Sequence, residues 1–299
     1  MHKKILVTGS FFVNKNHIEI LKSAGYDVTH LDLLAVTEDQ LAEAIKGISV
    51  YIMGGIEQVT NKVIESADKL EAIIFSGVDY DKFIPATELA KQKGIQLLNA
   101  PGANAVAVAE FGLGVALLMQ RHLLSLSRSG DERFLTVSSF QDSVIGVIGM
   151  GNIGSKLIEA VAPFQPKEII YYNRSAKTLP YRQVELLELL ESSDIIFVAL
   201  PMKAGQVLDR ERIEKVKQNS LIVSLSPMNL IDMDALLSRL EAGNIRAAVD
   251  WPSPSEEFNH LPLEIWYSTN SHTAYNTHEA VRRVGDLVTA KAIELLAHH

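Results

Sequence analysis

Apolar residues fall into short unbroken runs separated by longer amphipathic stretches. Residues 5–8, 50–53 and 72–75 are almost wholly apolar, and 28–31 and 96–98 are weaker segments of the same kind. Between them, 15–24, 38–46, 61–67 and 85–93 repeat apolar residues at the three-to-four spacing of a helix face. Apolar strands alternating with helices indicate a parallel sheet covered on both faces, because such strands bury both sides. The second half repeats the pattern. Strands are predicted over 144–148, 168–172, 195–199, 221–224, 247–249 and 265–268, and helices over 184–191, 209–216 and 232–241, the last stopped by Gly243. A mostly apolar helix is predicted over 105–126 and a closing helix over 277–297, with the turn cluster Asn99-Ala100-Pro101-Gly102 as a boundary before them.

The run from Val144 to Gly154 changes this picture from architecture to chemistry. An apolar strand leads straight into Gly149-Met150-Gly151-Asn152-Ile153-Gly154 and then into an amphipathic segment. Gly149 permits a tight turn, Gly151 lets backbone approach a pyrophosphate, and Gly154 lets helix and strand pack closely. The helix N-terminus offers N–H groups and a positive dipole end to phosphates. The next strand ends in Asn173-Arg174-Ser175, with Lys177 close behind. A site preferring NAD usually carries Asp or Glu there for the ribose hydroxyl, whereas this neutral and cationic cluster would attract a 2′-phosphate. The expected cofactor is therefore NADP rather than NAD. The fold class is α/β, with two Rossmann/flavodoxin-like domains, parallel sheets and an interdomain cleft. Residues 1–98 plus 278–299 would form a flavodoxin-like lid domain for substrate, and 99–277 the dinucleotide domain.

Composition narrows the partners. With 299 residues, 47% hydrophobic, and a formal net charge of −8, the chain can bury two cores and has no basic run for nucleic acid or a membrane surface. It has no cysteine, which excludes disulfides and thiolate chemistry. No apolar stretch reaches the ~18 residues of a membrane span. The opening residues from Met1 read as a strand rather than a signal peptide. A cytoplasmic enzyme with a small-molecule substrate is expected. No metal site is read, since His272 and His278 lie six apart without a carboxylate in register. Ser224, Ser226 and Ser255 have no adjacent base for nucleophilic work.

From about Leu70 onward, six ordered motifs resemble the D-isomer-specific 2-hydroxyacid dehydrogenases, a family that includes phosphoglycerate and D-lactate dehydrogenases and glyoxylate/hydroxypyruvate reductases. They are the segment 99–110 as hinge and start of the interdomain helix, the Gly149–Gly154 fingerprint, Ser193 to Pro201 beside the cofactor, the segment 221–236, Ala247-Ala248-Val249-Asp250, and Ser271-His272-Thr273-Ala274. The resemblance implies that His272 is the acid/base beside a hydride donor and that Asp250 binds the nicotinamide carboxamide. It also implies cofactor contacts at Leu200, Pro201, Leu225, Ser226 and His272. Gly77, Val78 and Asp79 stand at the substrate-carboxylate loop. Tyr275 is a further lining candidate, with Phe11 and Phe12 behind it. The family's homodimer is left open, because 125–142 is shorter than the arm that contributes to it.

Three positions depart from the family pattern. The arginine that grips the substrate carboxylate falls on Pro227, in a run without a cation. The glutamate that partners the histidine falls on Ser255, with Glu256 and Glu257 just beyond. The second glycine of the carboxylate loop is Asp79. Three readings follow. The chain is an NADP-dependent oxidoreductase acting on a carbonyl, carbinol or imine that lacks the usual carboxylate or carries a cation facing Asp79. Alternatively, it is a conventional 2-oxo acid reductase whose anion site is rebuilt around another cation such as Lys203 or Arg282. In the third reading it is a catalytically inactive relative that binds NADP.

Overall fold

The computed structural model describes residues 3–129 and 136–297. Of the shortened arm, 130–135 lie outside the described residues. The chain divides into two compact units, Met1–Asn104 with Thr277–His299, and Ala105–Asn276.

Unit 1 is a five-stranded parallel sheet in the order β2-β1-β3-β4-β5, with β1 Lys4–Thr8, β2 Asp27–Leu31, β3 Val50–Met53, β4 Ala72–Phe75 and β5 Gln96–Leu98. Its helices are α1 Lys15–Ser23, α2 Glu38–Ala44, α3 Asn61–Ser66 and α4 Thr87–Gln92, joined by the chain-terminal helix described below. Every residue of β3 and β4 is buried, which accounts for the unbroken apolar runs. Alternate side chains serve opposite faces. Leu6, Tyr51, Met53 and Ile73 pack with Leu41 and Ile64 on one side, and Ile5, Val7, Ile52 and Ile74 with Leu21, Val284 and Val288 on the other. The segment after β5 stays with this unit. Ala100 enters its core, and Lys291 Nζ donates to Asn99 O at 2.6 Å. Buried His17 is a structural group: its Nδ1 accepts the Asn14 N–H, and its Nε2 lies 3.1 Å from Asp286 Oδ1.

Unit 2 is a seven-stranded parallel sheet in the order β12-β11-β10-β9-β6-β7-β8. Its strands are β6 Val144–Ile148, β7 Glu168–Tyr172, β8 Arg182–Gln183, β9 Ile195–Val198, β10 Leu221–Ser224, β11 Arg246–Val249 and β12 Trp266–Ser268. The helices from here on are α5 Ala105–Gln120, α6 Leu123–Ser129, α7 Asn152–Val161, α8 Leu186–Ser192, α9 Arg210–Glu214, α10 Met233–Glu241, α11 Glu256–His260 and, in unit 1, α12 His278–Ala297. This is the Rossmann order, which reverses between β6 and β9, just as the first sheet reverses between β1 and β3. Among the described residues, no helix is long and apolar enough to cross a membrane.

The single helix expected over 105–126 is two helices, because His122 takes a left-handed conformation (φ 52°) between α5 and α6. Arg246 braces the break by donating from Nη1 to Met119 O at 3.1 Å, a carbonyl of the helix's last turn, and from Nη2 to the Gln120 side chain at Oε1, 2.8 Å away. Two short elements, β8 and α11, were not anticipated from the sequence. Both are too brief to show a period.

Burial, and then the Arg246 charge, hold the His122 imidazole below its usual value of 6.5. The fold therefore favours neutral His122, and the unfolded chain takes its proton first as pH falls. The melting temperature should decline as pH drops through about 6.5, and a His122→Gln variant should lack that component. Identical pH–melting curves for the two proteins would contradict this account.

Candidate active site

The fingerprint turn is closed by backbone contacts that no side chain would permit. Gly149 has φ 99°, and a Cβ there would lie 2.5 Å from Ala199 O. A Cβ at Gly154 would lie 1.9 Å from Gly149 O, so α7 can cross β6 this closely only with glycine at that position. Nothing lies within 4 Å of a Cβ built at Gly151, which leaves the approach to the helix start open. Gly151 is the N-cap and supplies no side-chain cap, and the first intrahelical bond runs from Ser155 N to Gly151 O at 3.0 Å. The N–H groups of Asn152, Ile153 and Gly154 precede that bond and form a ready anion site.

Beside this turn lies a cavity of about 440 Å³ lined by Gly149, Gly151, Tyr172, Asn173, Arg174, Ser175, Lys177, Leu200, Pro201 and Arg212, among others. It gathers most of the residues predicted for the cofactor. Arg174 and Lys177 are exposed at its edge. Arg212, which the sequence reading missed, adds a third cation. Its Nη1 donates to Asp209 Oδ2 at 3.0 Å and to Val207 O at 3.2 Å. The only local signal was the Asp209–Arg212 spacing at a helix start. Among the described residues that line this cavity none is a carboxylate, although Arg212 itself is paired with Asp209. Asn173 holds the rim together: its Oδ1 accepts Met150 N–H at 3.1 Å, and its Nδ2 donates to Ser175 O at 2.8 Å.

Other predicted residues lie outside the cavity lining. The Leu225 side chain packs on α5, with Cδ1 2.8 Å from a Cβ built at Gly112. Ser226 is buried and joins the loops after β9, β10 and β11, since its Oγ accepts Leu200 N–H at 2.7 Å and its carbonyl accepts Trp251 Nε1–H at 3.0 Å.

Asp250, 7% exposed at the end of β11, organises the loop that carries His272. Its Oδ1 accepts from Thr269 Oγ1 at 3.0 Å and Thr273 N at 3.1 Å, and its Oδ2 from Ala274 N at 2.8 Å. Charge-assisted bonds of this kind are the strong ones. They hold the backbone just after His272 and the Thr269 hydroxyl before it, and the His272 side chain is exposed. Half-buried Tyr275 follows, and burial, then the Asp250 charge, push its hydroxyl above the usual value. Ser255 is the N-cap of α11, and Glu256 and Glu257 stand exposed in its first turn. Among the described residues, no hydrogen bond joins any of the three to His272. Pro227 opens a short turn, Met228–Leu230, and no cation occupies the run 224–229. Lys203 and Arg282 are exposed, one in each unit.

In unit 1, the loop after β4 carries Gly77, exposed Val78 and half-buried Asp79. The loop is pinned to the segment after β5: Ala100 N donates to Gly77 O at 2.8 Å, and Asn99 Nδ2 donates to Val78 O. Phe11 and Phe12 meet edge to face, with ring centroids 4.8 Å apart, after β1.

The family model for the D-isomer specific 2-hydroxyacid dehydrogenase NAD binding domain matches residues 117–272. A hydroxypyruvate reductase of Thermotoga maritima is 30% identical over 287 residues, covering 91% of this chain and 89% of its own length. A D-3-phosphoglycerate dehydrogenase of Methanocaldococcus jannaschii is 31% identical over 315 aligned positions, 98% of this chain but 57% of its own length, so the chain spans little more than half of that protein. Among solved structures, an acyclic imino acid reductase in complex with NADPH and D-Arg aligns with a TM-score of 0.86 and 23% identity over 99% of this chain and 97% of its own. This last likeness is one of fold.

Substituting Asp250→Asn would turn an amide N–H₂ toward backbone donors. The variant should lose about 1.5–3 kcal/mol of stability, read as a lower urea midpoint. An unchanged midpoint would mean that the loop around 272 does not depend on this carboxylate.

Proposed function

Because the chain belongs to the D-isomer specific 2-hydroxyacid dehydrogenase family, we propose that it is an NADP-dependent oxidoreductase with His272 as its acid/base. The observation that carries the cofactor preference is the cavity beside the fingerprint, with cations at Arg174, Lys177 and Arg212 and no carboxylate in its lining. The glycine cradle and uncapped helix start suit a pyrophosphate, and Arg174 with Lys177 suits a 2′-phosphate. Asn173, already committed to Met150 and Ser175, braces the rim at the place where an NAD-selective site carries its acid. When bound, NADPH supplies the hydride. His272 donates a proton from its ring N–H to the substrate atom that gains electron density, and takes one back in the reverse direction. Asp250 contributes by holding the 269–274 loop in place. The substrate is a carbonyl, carbinol or imine without the usual carboxylate, or one with a cationic group for Asp79. The absence of a cation at Pro227 and the carboxyl group at Asp79 support this choice.

The Thermotoga relative's name favours a second reading, reduction of a conventional 2-oxo acid such as hydroxypyruvate. Steady-state rates on glyoxylate, hydroxypyruvate and pyruvate, alone and with added ammonium, separate the two. Fast turnover of the free acids selects the second reading, and tight NADPH binding without turnover of any carbonyl or imine indicates an inactive relative.

Calorimetry should find NADPH bound more tightly than NADH. Arg174→Ala should weaken NADPH about tenfold to a hundredfold while leaving NADH nearly unchanged, the effect of losing one charged contact. Equal losses for both nucleotides would count against a phosphate clamp. His272→Asn should lower kcat by about 10²–10⁴ with NADPH affinity retained, and wild-type turnover in that variant would remove His272 from the chemistry.

A further inference from the structure

Unit 2 has a second cavity, of about 330 Å³, that the proposed chemistry does not use. It lies at the amino ends of β10, β11 and β12, where Asn219, Arg246 and Ile265 line it, whereas the fingerprint lies at the carboxyl end of β6. Its wall is built around Gln120, which is 4% exposed. Gln120 Oε1 accepts from Arg246 Nη2 at 2.8 Å, and its Nε2 donates to Ser138 O at 3.0 Å. One buried amide thus ties together the end of α5, the start of β11 and the segment 136–138. Three lining residues hold left-handed backbone, His122 (φ 52°), Asn219 (φ 65°) and Gly243 (φ 65°), a conformation that often accompanies a functional surface. Nothing lies within 4 Å of a Cβ built at Gly243, which leaves space beside that turn.

The charge in this cavity has one sign. Half-buried Arg246 carries five N–H donors. Among the described residues its acceptors are Met119 O and Gln120 Oε1, both neutral. Half-buried His122 is the second lining group that can carry positive charge, and among the described lining residues none is acidic. Burial weakens the hold of Arg246 on its proton. Burial, then the Arg246 charge, do the same to His122, and Glu264, outside the lining, acts on the imidazole in the opposite sense. A partly buried guanidinium without a counter-charge is costly, and its planar fork matches a carboxylate or a phosphate. The exposed hydroxyls of Thr136 and Ser138 and the exposed amide of Asn219 add neutral donors, and Val137 and Ile265 add apolar surface. Convergent polar groups on a partly apolar concave wall are the usual make-up of a small-molecule site.

We propose that this cavity binds the phosphate or carboxylate of a small organic anion, with Arg246 as its principal donor and His122 as its second. The ligand is distinct from the nucleotide and from the substrate at His272. The assignment goes beyond the dehydrogenase reading and does not depend on hydride transfer.

The test is calorimetry on NADPH-saturated protein at fixed ionic strength, with two anions and their neutral counterparts: glycerol 3-phosphate against glycerol, and succinate against succinamide. At least one anion should bind saturably and about tenfold or more tighter than its counterpart, the effect of one charged contact. The pair that shows the gap tells a phosphate site from a carboxylate site. Arg246→Gln should erase the gap without moving the NADPH affinity. No gap in either pair, or a gap that survives in Arg246→Gln, overturns the proposal. If that variant does not fold, Ser138→Asp decides, because it places a carboxylate at an exposed position of the lining. It should weaken the bound anion about tenfold or more, and an unchanged affinity ends the proposal. Failure of the wild type to bind NADPH would sink the oxidoreductase reading instead, and the same four probes would then be compared on the free protein.

Discussion

Residue 154 can have no side chain, and the nucleotide unit is arranged around that fact. A methyl group there would sit 1.9 Å from the carbonyl of Gly149, so the crossing of α7 over β6 exists only with glycine. That crossing sets the helix start directly above the strand end, which aims the first-turn N–H groups at whatever occupies the turn. The same close fit carries α5 onto α7 through Gly112, where Leu157 and Leu225 pack into the space a side chain would take. The two ends of the β6 turn are then fixed by backbone bonds to the neighbouring strands, Gly149 N to Tyr172 O and Ala199 N to Ile148 O, both 2.9 Å. Interiors at crystal-like density transmit such a constraint because they have no slack to absorb it.

A comparable economy governs the loop that carries the proposed acid/base. His272 is exposed and has little packing of its own to orient it. Its position depends on Asp250, a buried carboxylate at the end of a strand that binds the two backbone N–H groups after the histidine and the Thr269 hydroxyl before it. Ser226 acts similarly among the loops after β9, β10 and β11. Both residues had been expected to touch the cofactor, and in the structure their hydrogen-bonding atoms are engaged by protein groups. Any such contact must be shared with the work of holding loops in place.

The fold was legible because parallel strands buried on both faces leave unbroken apolar runs, and the runs at 50–53, 72–75 and 144–148 coincide with β3, β4 and β6. The fingerprint was legible for a steric reason, since glycine at fixed spacing reports backbone approach whatever the surrounding sequence. What escaped notice depended on partners distant in sequence. The break after α5 is set by Arg246, more than a hundred residues away, and nothing between 105 and 126 announces it. Arg212 joins the cavity through a loop closure that local spacing cannot encode. Glu256 and Glu257, considered as partners for the histidine, fall in a five-residue helix too short to show a period.

A net charge of −8 conceals how unevenly the charge is placed. The cavity beside the fingerprint is lined by Arg174, Lys177 and Arg212, the last paired with Asp209, while the loops after the strands of the other sheet carry Asp32, Glu57, Asp79 and Asp81 against the single base Lys82. Charges of one sign in a concave, partly desolvated surface act on a ligand far more strongly than the same charges spread over solvated faces. A protein that bound one anionic substrate and one anionic nucleotide would have reason to make both surfaces cationic. Here the two surfaces differ in sign: the cations that suit a phosphate line the cavity beside the fingerprint, and acidic residues predominate in the loops of the other unit.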